Sequence, residues 1–235
     1  MQNYILYSDV DQAIIDRMSN QAPDVNKRLR AINSELDSLQ SQYDLFDTVR
    51  EVSISVKTDG KTAYDVSTLV TDNDVKTIKD FNFGSGENAL SSRFVYLDLP
   101  EFIRRADRSA MENYYTLYTQ NGVQYLRVLT VDPSDTVVTL LMTYHTTYKA
   151  LDGDNDFIPA VVNSVGVKIL LPARFKELVA LGSVIRLFYP AIGEDAIAYL
   201  NILKSEYSDI KELLGLTVAK APTKVTRKFH LRPQV

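Results

Sequence analysis

The order of the periodic segments predicts an α+β protein, in which N- and C-terminal helices form one bundle and an antiparallel β domain is inserted between them. Apolar residues recur at helical spacing near both ends of the chain, and the residues between alternate with period two. The predicted boundaries are N-terminal helices over 1–48, the β domain over 49–150, C-terminal helices over 151–216 and an extended basic tail over 217–235. Each helical part carries a single apolar stripe, which favours packing of the two parts on each other.

Two helices are predicted before the β domain. Ser8 is placed to cap a short helix with Val10, Ile14 and Met18 on one face. Pro23 suits the first turn of a longer helix. Six apolar residues then step by four and three along one stripe, namely Val25, Leu29, Ile32, Leu36, Leu39 and Tyr43. Charged residues, among them Glu35, occupy the other faces of this helix, which are expected to meet solvent.

The β domain begins where Val52, Ile54 and Val56 alternate with polar residues. Asp59-Gly60 predicts a hairpin from this strand into a second one over 62–66. Further strands are predicted over 76–83, 94–99, 114–119, 123–131 and 136–148. Asn121-Gly122 and Asp132-Pro133-Ser134 predict tight turns between the last three strands.

Two segments interrupt this series of strands. The polar stretch 84–92 is predicted to be a loop, and 100–113 is predicted to contain a short helix.

The last third of the chain is predicted to return to helices. After an acidic loop over 152–156, Pro159 opens a short helix that is followed by an irregular or strand-like stretch over 167–171. Pro172 begins a second helix that Pro190 ends. A final helix is predicted to stop at Gly215. Its apolar stripe consists of Ala196, Leu200, Leu203, Tyr207, Ile210 and Leu214.

The composition excludes much of enzyme chemistry. The chain has no Cys and only two His, so disulfides, thiolate nucleophiles, iron–sulfur clusters and Cys-ligated zinc are excluded. His145 lies in a predicted strand with no local partner that would make it a general base, so it is interpreted as an ordinary sheet histidine. No phosphate loop, dinucleotide fingerprint or nucleophile elbow is present. The sequence therefore predicts a protein that is not an enzyme and has no catalytic residue, cofactor or metal.

One acidic loop resembles the opening of a calcium site. Asp152, Asp154 and Asp156 have the required alternation, but Phe157 stands where the motif needs Gly and Asn163 where it needs a bidentate Glu. A solvated loop is therefore the favoured interpretation.

The charge divides unevenly between a body and a tail. The net charge is −4, but the tail from Thr217 onwards has five basic side chains and no acid, which leaves −9 on the preceding 216 residues. Within the tail, apolar and basic residues alternate, a pattern that would let the segment join the edge of another chain's sheet. A disordered terminus is the alternative. The predicted partner-binding residues are Lys224, Val225, Arg227, Lys228, Phe229, Leu231 and Arg232.

The layout over 8–216 resembles one known family. Two N-terminal helices precede a β block ending in YYTLYTQNGVQYLRVLTVDPSDTVVTLLMTYHTTY, and an acidic loop then leads to FIP, two helices and a basic tail. This order, and above all the amino-acid sequence of the last strands, is similar to that of the head-to-tail adaptor (connector) proteins of tailed bacteriophages.

The resemblance implies a structural protein of the virion neck, made in the host cytoplasm. Such adaptors form a ring, commonly of twelve copies, that docks under the portal protein, contacts other neck or tail proteins and surrounds the DNA channel. Their C-terminal tails contact the portal or a neighbouring ring. An acidic body fits viral DNA that passes without specific binding, because carboxylates repel phosphates. No membrane partner is expected, since the most apolar segment, 178–189, is too short to cross a bilayer.

A second interpretation remains open at this point. The β domain could be a β-sandwich binding module on a helical stalk, directed at carbohydrate or a cell surface. Tyr114, Tyr118 and Tyr125 would then form a stacking platform.

Overall fold

The chain contains helices and strands joined by mainly antiparallel ladders, so the α+β class is confirmed. The computed structural model describes residues 4–18, 21–45, 48–72, 74–83, 94–108, 110, 112–133, 137–188 and 194–217. In chain order the elements are β1 (Tyr4–Leu6), α1 (Tyr7–Met18), α2 (Val25–Gln42), β2 (Val49–Lys57), β3 (Tyr64–Asp65), α3 (Val66–Leu69), β4 (Val75–Phe83), β5 (Phe94–Tyr96), α4 (Leu99–Ala106), β6 (Asn113–Gln120), β7 (Val123–Leu129), β8 (Val137–Thr146), β9 (Ala150–Leu151), β10 (Phe157–Ile158), β11 (Lys168–Pro172), α5 (Lys176–Leu187) and α6 (Glu194–Thr217).

The chain divides into two compact units. Residues Thr48–Tyr148 form one, here called the inserted unit, and the described residues before and after them form the other, here called the terminal unit.

Four helices and a small sheet build the terminal unit. The helix α5 is central and contacts α1, α2 and α6. Its residues from Leu178 to Val184 are all buried, as expected for a helix surrounded by others. The core of this unit includes Val10, Ile14, Ile32, Leu36, Leu39, Leu178, Leu181, Leu203 and Leu214.

The helix α2 follows its sequence pattern closely. Asp24 caps it by accepting a hydrogen bond from the amide of Lys27 at 3.1 Å. Its predicted stripe supplies Ile32, Leu36 and Leu39 to the core.

The small sheet has the strand order β1-β11-β9-β10, and all its ladders are antiparallel. The strand β1 has only three residues, too few to show a period, and the sequence did not predict it.

The short helix predicted after Pro159 is wrong. The backbone there is extended at β10 and then irregular up to β11. The side chain of Asn33 on α2 holds this segment, because it accepts from the amide of Val161 at 2.8 Å and donates to its carbonyl at 3.0 Å. These two hydrogen bonds occupy the N–H and C=O groups of Val161, which a local helix would use for its own hydrogen bonds.

The prediction that the last helix stops at Gly215 is also wrong. The helix α6 continues to Thr217, whose hydroxyl donates to the carbonyl of Leu213 at 2.6 Å.

Two sheets face each other across the core of the inserted unit. One has the order β2-β8-β4 and the other β3-β7-β6-β5. Their facing side chains alternate along each strand with outward ones, as in a sandwich. This core includes Ile54, Val56, Phe81, Phe94, Tyr115, Leu126, Val128, Leu140 and Met142.

A smaller apolar cluster covers the outer side of the second sheet. There the helix α4 contributes the fully buried Phe102, which packs with Tyr114 and Leu129. The short helix predicted within 100–113 is thus confirmed, and it begins at Leu99.

The hairpin predicted at Asp59-Gly60 is wrong in its pairing. The strand β2 pairs with β8, and β3 pairs with β7 in the other sheet. The carboxylate of Asp59 instead accepts from the amides of Lys61 and Thr62 at 2.7 and 2.8 Å, which makes a local turn.

The turn at Asn121-Gly122 is confirmed. Both residues have positive φ, 52° and 81°, as a two-residue hairpin turn of type I′ requires. It joins β6 to β7, which pair from Tyr114 to the turn.

One ladder departs from the antiparallel prediction. The strands β5 and β6 run parallel, because the chain between them crosses back through α4.

Candidate functional site

The predicted partner-binding residues lie outside the described residues. They are Lys224, Val225, Arg227, Lys228, Phe229, Leu231 and Arg232. Their predicted role therefore stays a prediction.

His145 occupies the position expected of a sheet histidine. It is buried near the end of β8, and its Nδ1 lies 2.9 Å from the hydroxyl oxygen of Thr48. A substrate outside the fold does not reach a ring that is only 4 % exposed.

The acidic loop uses its first carboxylate to organise its own backbone. Asp152 accepts hydrogen bonds from the amides of Asp154 and Asp156, each at 2.9 Å. Across the described ranges, no three His, Asp or Glu side chains stand close enough to hold a metal ion.

The three tyrosines of the suggested stacking platform lie on the same side of the second sheet, but α4 covers one of them. Tyr114 is buried beneath α4, where Arg105 lies 5.9 Å from its ring. Tyr118 and Tyr125 do stack on each other, with ring centroids 5.6 Å apart. The platform is therefore reduced to one pair.

A buried carboxylate joins three helices of the terminal unit. Glu35 on α2 is only 2 % exposed, which contradicts its predicted place on a solvent face. It accepts hydrogen bonds from the Tyr207 hydroxyl on α6 at 2.6 Å and from Nε of Arg186 on α5 at 3.0 Å. Gly182 on α5 makes room for it, because a Cβ there would lie 2.3 Å from Cδ of Glu35.

Burial raises the pKa of the Glu35 carboxyl, although the Tyr207 hydrogen bond and the Arg186 charge act in the opposite direction. Burial and the adjacent carboxylate also raise the pKa of the Tyr207 hydroxyl. Both groups therefore keep their protons to higher pH than they would in the unfolded chain.

Glu35→Gln is expected to flatten the pH dependence of stability. With Glu35 present, the unfolded chain releases its proton at a lower pH than the folded chain, so the free energy of unfolding falls as pH rises from about 4 through the raised pKa. Denaturant titrations between about pH 4 and pH 7 measure this slope. Glu206→Gln, at an exposed carboxylate on α6, should leave it unchanged. A Glu35→Gln protein with the full slope of the parent would contradict the assignment.

The inserted unit contains a second buried carboxylate. The side chain of Asp74 is fully buried and accepts from Nη1 of Arg50 at 2.6 Å, from the Tyr144 hydroxyl at 3.0 Å and from the Thr146 hydroxyl. Burial and this carboxylate raise the pKa of Tyr144. The cluster connects β2, β8 and the segment before β4.

Sequence patterns did not reveal either cluster. Glu35 falls beside the apolar stripe of α2, one residue before Leu36, and Asp74 lies in an acidic turn. A weak signal did exist for Glu35, since Gly182 lies in the middle of a helix, where glycine is unfavourable.

Two open depressions flank Arg17 in the terminal unit, with volumes of about 450 and 510 Å³. Arg17 itself pairs with Glu177 at 2.9 Å and with Glu206 at 3.4 Å. The arrangement joins α1, α5 and α6 by ion pairs and brings no nucleophile to a base.

Three apolar residues of α6 remain exposed on one side of the helix, where Asp209 also lies. Ile202, Leu213 and Leu216 are 57 %, 58 % and 79 % exposed. At 100° per residue they fall within a sector of about 60°, well away from the buried Leu203 and Leu214. These three residues are called the α6 flank below.

None of the described helices is both long and apolar enough to cross a membrane. No protein-family model matches the chain, and no curated protein matches it either.

Proposed function

We propose that the chain is a non-enzymatic structural subunit of a tailed-phage neck, a head-to-tail adaptor that assembles into a ring under the portal protein. Copies of the chain, the portal and other neck or tail proteins are its partners, and viral DNA passes through the ring without specific binding. The proposal rests on the resemblance of the layout and on an unpartnered face of the terminal unit.

The α6 flank is the observation that carries this proposal. A 24-residue helix that buries one stripe in its own unit and exposes Ile202, Leu213 and Leu216 on another side offers apolar contact area to a partner. In a ring each subunit meets a neighbour on either side, so a face of this kind is covered in every copy.

The arrangement of the terminal unit supports the same function. Helices from both ends of the chain contribute to this unit, because α5 contacts α1, α2 and α6, and these helices would form the bundle. Buried carboxylate links such as Glu35 to Tyr207 and Arg186 would keep this bundle rigid under load.

The distribution of charge suits a channel for DNA. The first 216 residues carry −9, and carboxylates around a channel repel phosphates, so that DNA slides. The basic tail then serves as the segment by which one subunit reaches a neighbouring subunit or another protein.

Replacing two residues of the α6 flank is expected to abolish assembly and leave the fold intact. Ile202→Gln with Leu213→Gln removes apolar contact area, while glutamine keeps the helix propensity of the site. Native mass spectrometry should show an oligomer for the parent chain, alone or with the portal protein of the same phage, and a monomer for the double variant. Because both residues are exposed, the free energy of unfolding should change by no more than about 0.5 kcal/mol per site.

Ser208→Gln supplies the matched control, since Ser208 is exposed on another face of α6. It should assemble as the parent chain does. A parent chain that stays monomeric at every concentration, and also in the presence of its portal protein, would refute the proposal.

The alternative, a carbohydrate-binding β-sandwich, keeps one supporting observation. Tyr118 and Tyr125 form a stacked pair, with the Arg127 guanidinium 5.4 Å from the Tyr118 ring. Binding on a glycan array that is lost in Tyr125→Ala would favour this alternative over the ring.

A further inference from the structure

The first sheet of the inserted unit has a long open edge at β2. This strand has nine residues and pairs with β8 throughout, without any shift of register. Its opposite side faces no other strand of the described chain. Native proteins usually shorten, bend or cover an edge of this kind, because it can pair with a further strand.

The backbone groups along this edge point outward at every second residue. The amide of Lys57 donates to the Tyr64 hydroxyl at 2.6 Å, so it is directed away from β8. Because the direction alternates along a strand, Glu51, Ser53 and Ser55 also point their N–H and C=O groups away from β8. Within the described residues, these outward groups have no hydrogen-bond partner.

The other edge of the same sheet is protected. The strand β4 has two register shifts against β8, and the Asp80 carboxylate accepts from the outward amide of Phe81 at 2.8 Å. Irregularities and capped amides of this kind hinder the addition of a strand. The contrast singles out β2 as the edge that can accept one.

A strand added to β2 must alternate apolar and polar side chains. Ile54 and Val56 face the core, while Glu51, Ser53 and Ser55 are exposed on the opposite side. Every second side chain of the added strand would therefore meet the rim of the core, and the side chains between them would meet solvent.

The segment 224–232 of the tail has this alternation at every position except Arg227. In an extended strand, Val225, Phe229 and Leu231 would lie on the same side as Arg227. The opposite side would carry Lys224, Lys228 and Arg232. In the added strand these three basic residues would lie on the same side of the sheet as Glu51. Six residues separate this segment from the end of α6 at Thr217, which allows a reach of about 20 Å before the pairing begins.

We propose that the β2 edge of one subunit receives the segment 224–232 from the tail of a second copy of this chain, which adds as a further strand. The inference rests on the proposed function for the presence of that second copy. Main-chain hydrogen bonds to Glu51, Ser53 and Ser55 would supply affinity, and the apolar side chains of the segment would supply specificity.

Hydrogen exchange in the full-length chain tests the edge directly. The amides of Glu51, Ser53 and Ser55 should exchange at least about tenfold more slowly in the parent chain than in the variant Val225→Asp, Phe229→Asp, Leu231→Asp. A matched variant with three charges outside the segment, Ala219→Asp, Thr223→Asp, Gln234→Asp, should keep the parent protection. Equal exchange in the parent chain and the first variant would overturn the proposal.

A mixing experiment separates a neighbour's tail from the chain's own tail. The donor carries Ser53→Pro, which removes an outward N–H without removing a hydrogen bond to β8. The acceptor is the isotope-labelled variant with the three aspartates within the segment. Adding the unlabelled donor should restore slow exchange in the labelled acceptor. If it does not, while the parent is protected, the tail binds within its own chain and the proposal is wrong.

Two further measurements keep the outcomes distinct. Ser53→Ala retains the amide and should accept a tail as the parent does, and the thermal unfolding of Ser53→Pro shows whether the donor is folded. Native mass spectrometry of the tail variants reports assembly separately. An oligomer without β2 protection refutes this inference alone, and a monomeric parent chain, with its portal protein present, refutes the proposed function.

Discussion

Asp74→Ala is expected to destabilise the inserted unit by about 3–5 kcal/mol, because it leaves two buried hydroxyls without their acceptor and removes the buried one of the two carboxylates that pair with Arg50. The Asp74 side chain is fully buried and accepts hydrogen bonds from Arg50, Tyr144 and Thr146. Tyr144 is 1 % exposed and Thr146 is fully buried, so solvent does not replace the lost acceptor. Urea unfolding followed by circular dichroism measures the change.

The neighbouring Asp72 provides the control for this prediction. Its carboxylate lies 3.3 Å from Nη1 of Arg50 but is 44 % exposed. Asp72→Ala should therefore cost at most about 1 kcal/mol, as exposed ion pairs do. Equal losses in the two variants would show that the buried network does not stabilise the unit.

Gly182→Ala is expected to destabilise the terminal unit by about 3 kcal/mol, through overpacking and the loss of hydrogen bonds to a charged group. A Cβ at this position would lie 2.3 Å from Cδ and 2.6 Å from Oε2 of Glu35. Glu35 can move only by giving up its bonds to Tyr207 and Arg186. Chemical denaturation measures the loss, and Glu35→Ala in the same chain should recover part of it by removing the clash.

Gly215→Ala is the matched control and should act in the opposite direction. A Cβ there would meet Cε1 and the hydroxyl oxygen of Tyr43 at 3.6 Å, an ordinary contact, and Gly215 lies within α6. Alanine is favoured over glycine in a helix by up to about 1 kcal/mol. A similar loss of stability in both variants would mean that the close approach to Glu35 is not the cause.

The helices show what hydrophobic periodicity alone can predict. The stripe that begins at Val25 predicted α2, and the stripe that begins at Ala196 predicted α6, because a repeat of 3.6 residues already defines which face of a helix is apolar. The end of α6 was misplaced, since Gly215 favours a stop but does not impose one when the following residues still find helical partners.

Strand pairing shows where such reasoning fails. A period of two identified β2 and β8 as strands, but nothing in either segment states that they pair with each other. Asp59-Gly60 carried a hairpin signal, yet the Asp59 side chain formed a local turn and the chain passed on to the other sheet. Pairing depends on which apolar faces meet in the folded unit, and that information is spread over the whole domain.

The candidate sites divide in the same way. The alternation of the tail and its basic charge are visible in the sequence, and the partner-binding role of Lys224 to Arg232 stays a prediction. The open edge of β2, the exposed flank of α6 and the protected edge of β4 became visible only once the neighbours of each element were known.

The sequence by itself determined the α+β class, the positions of the long helices and the hairpin turn at Asn121-Gly122, because these follow from interactions between residues close together in the chain. Only the tertiary structure decided the strand order, the burial of Glu35 and Asp74 and the faces that remain uncovered. The environment of a carboxylate or of a strand edge depends on residues distant in the chain, so its free energy is set when the elements pack, and local patterns do not record it.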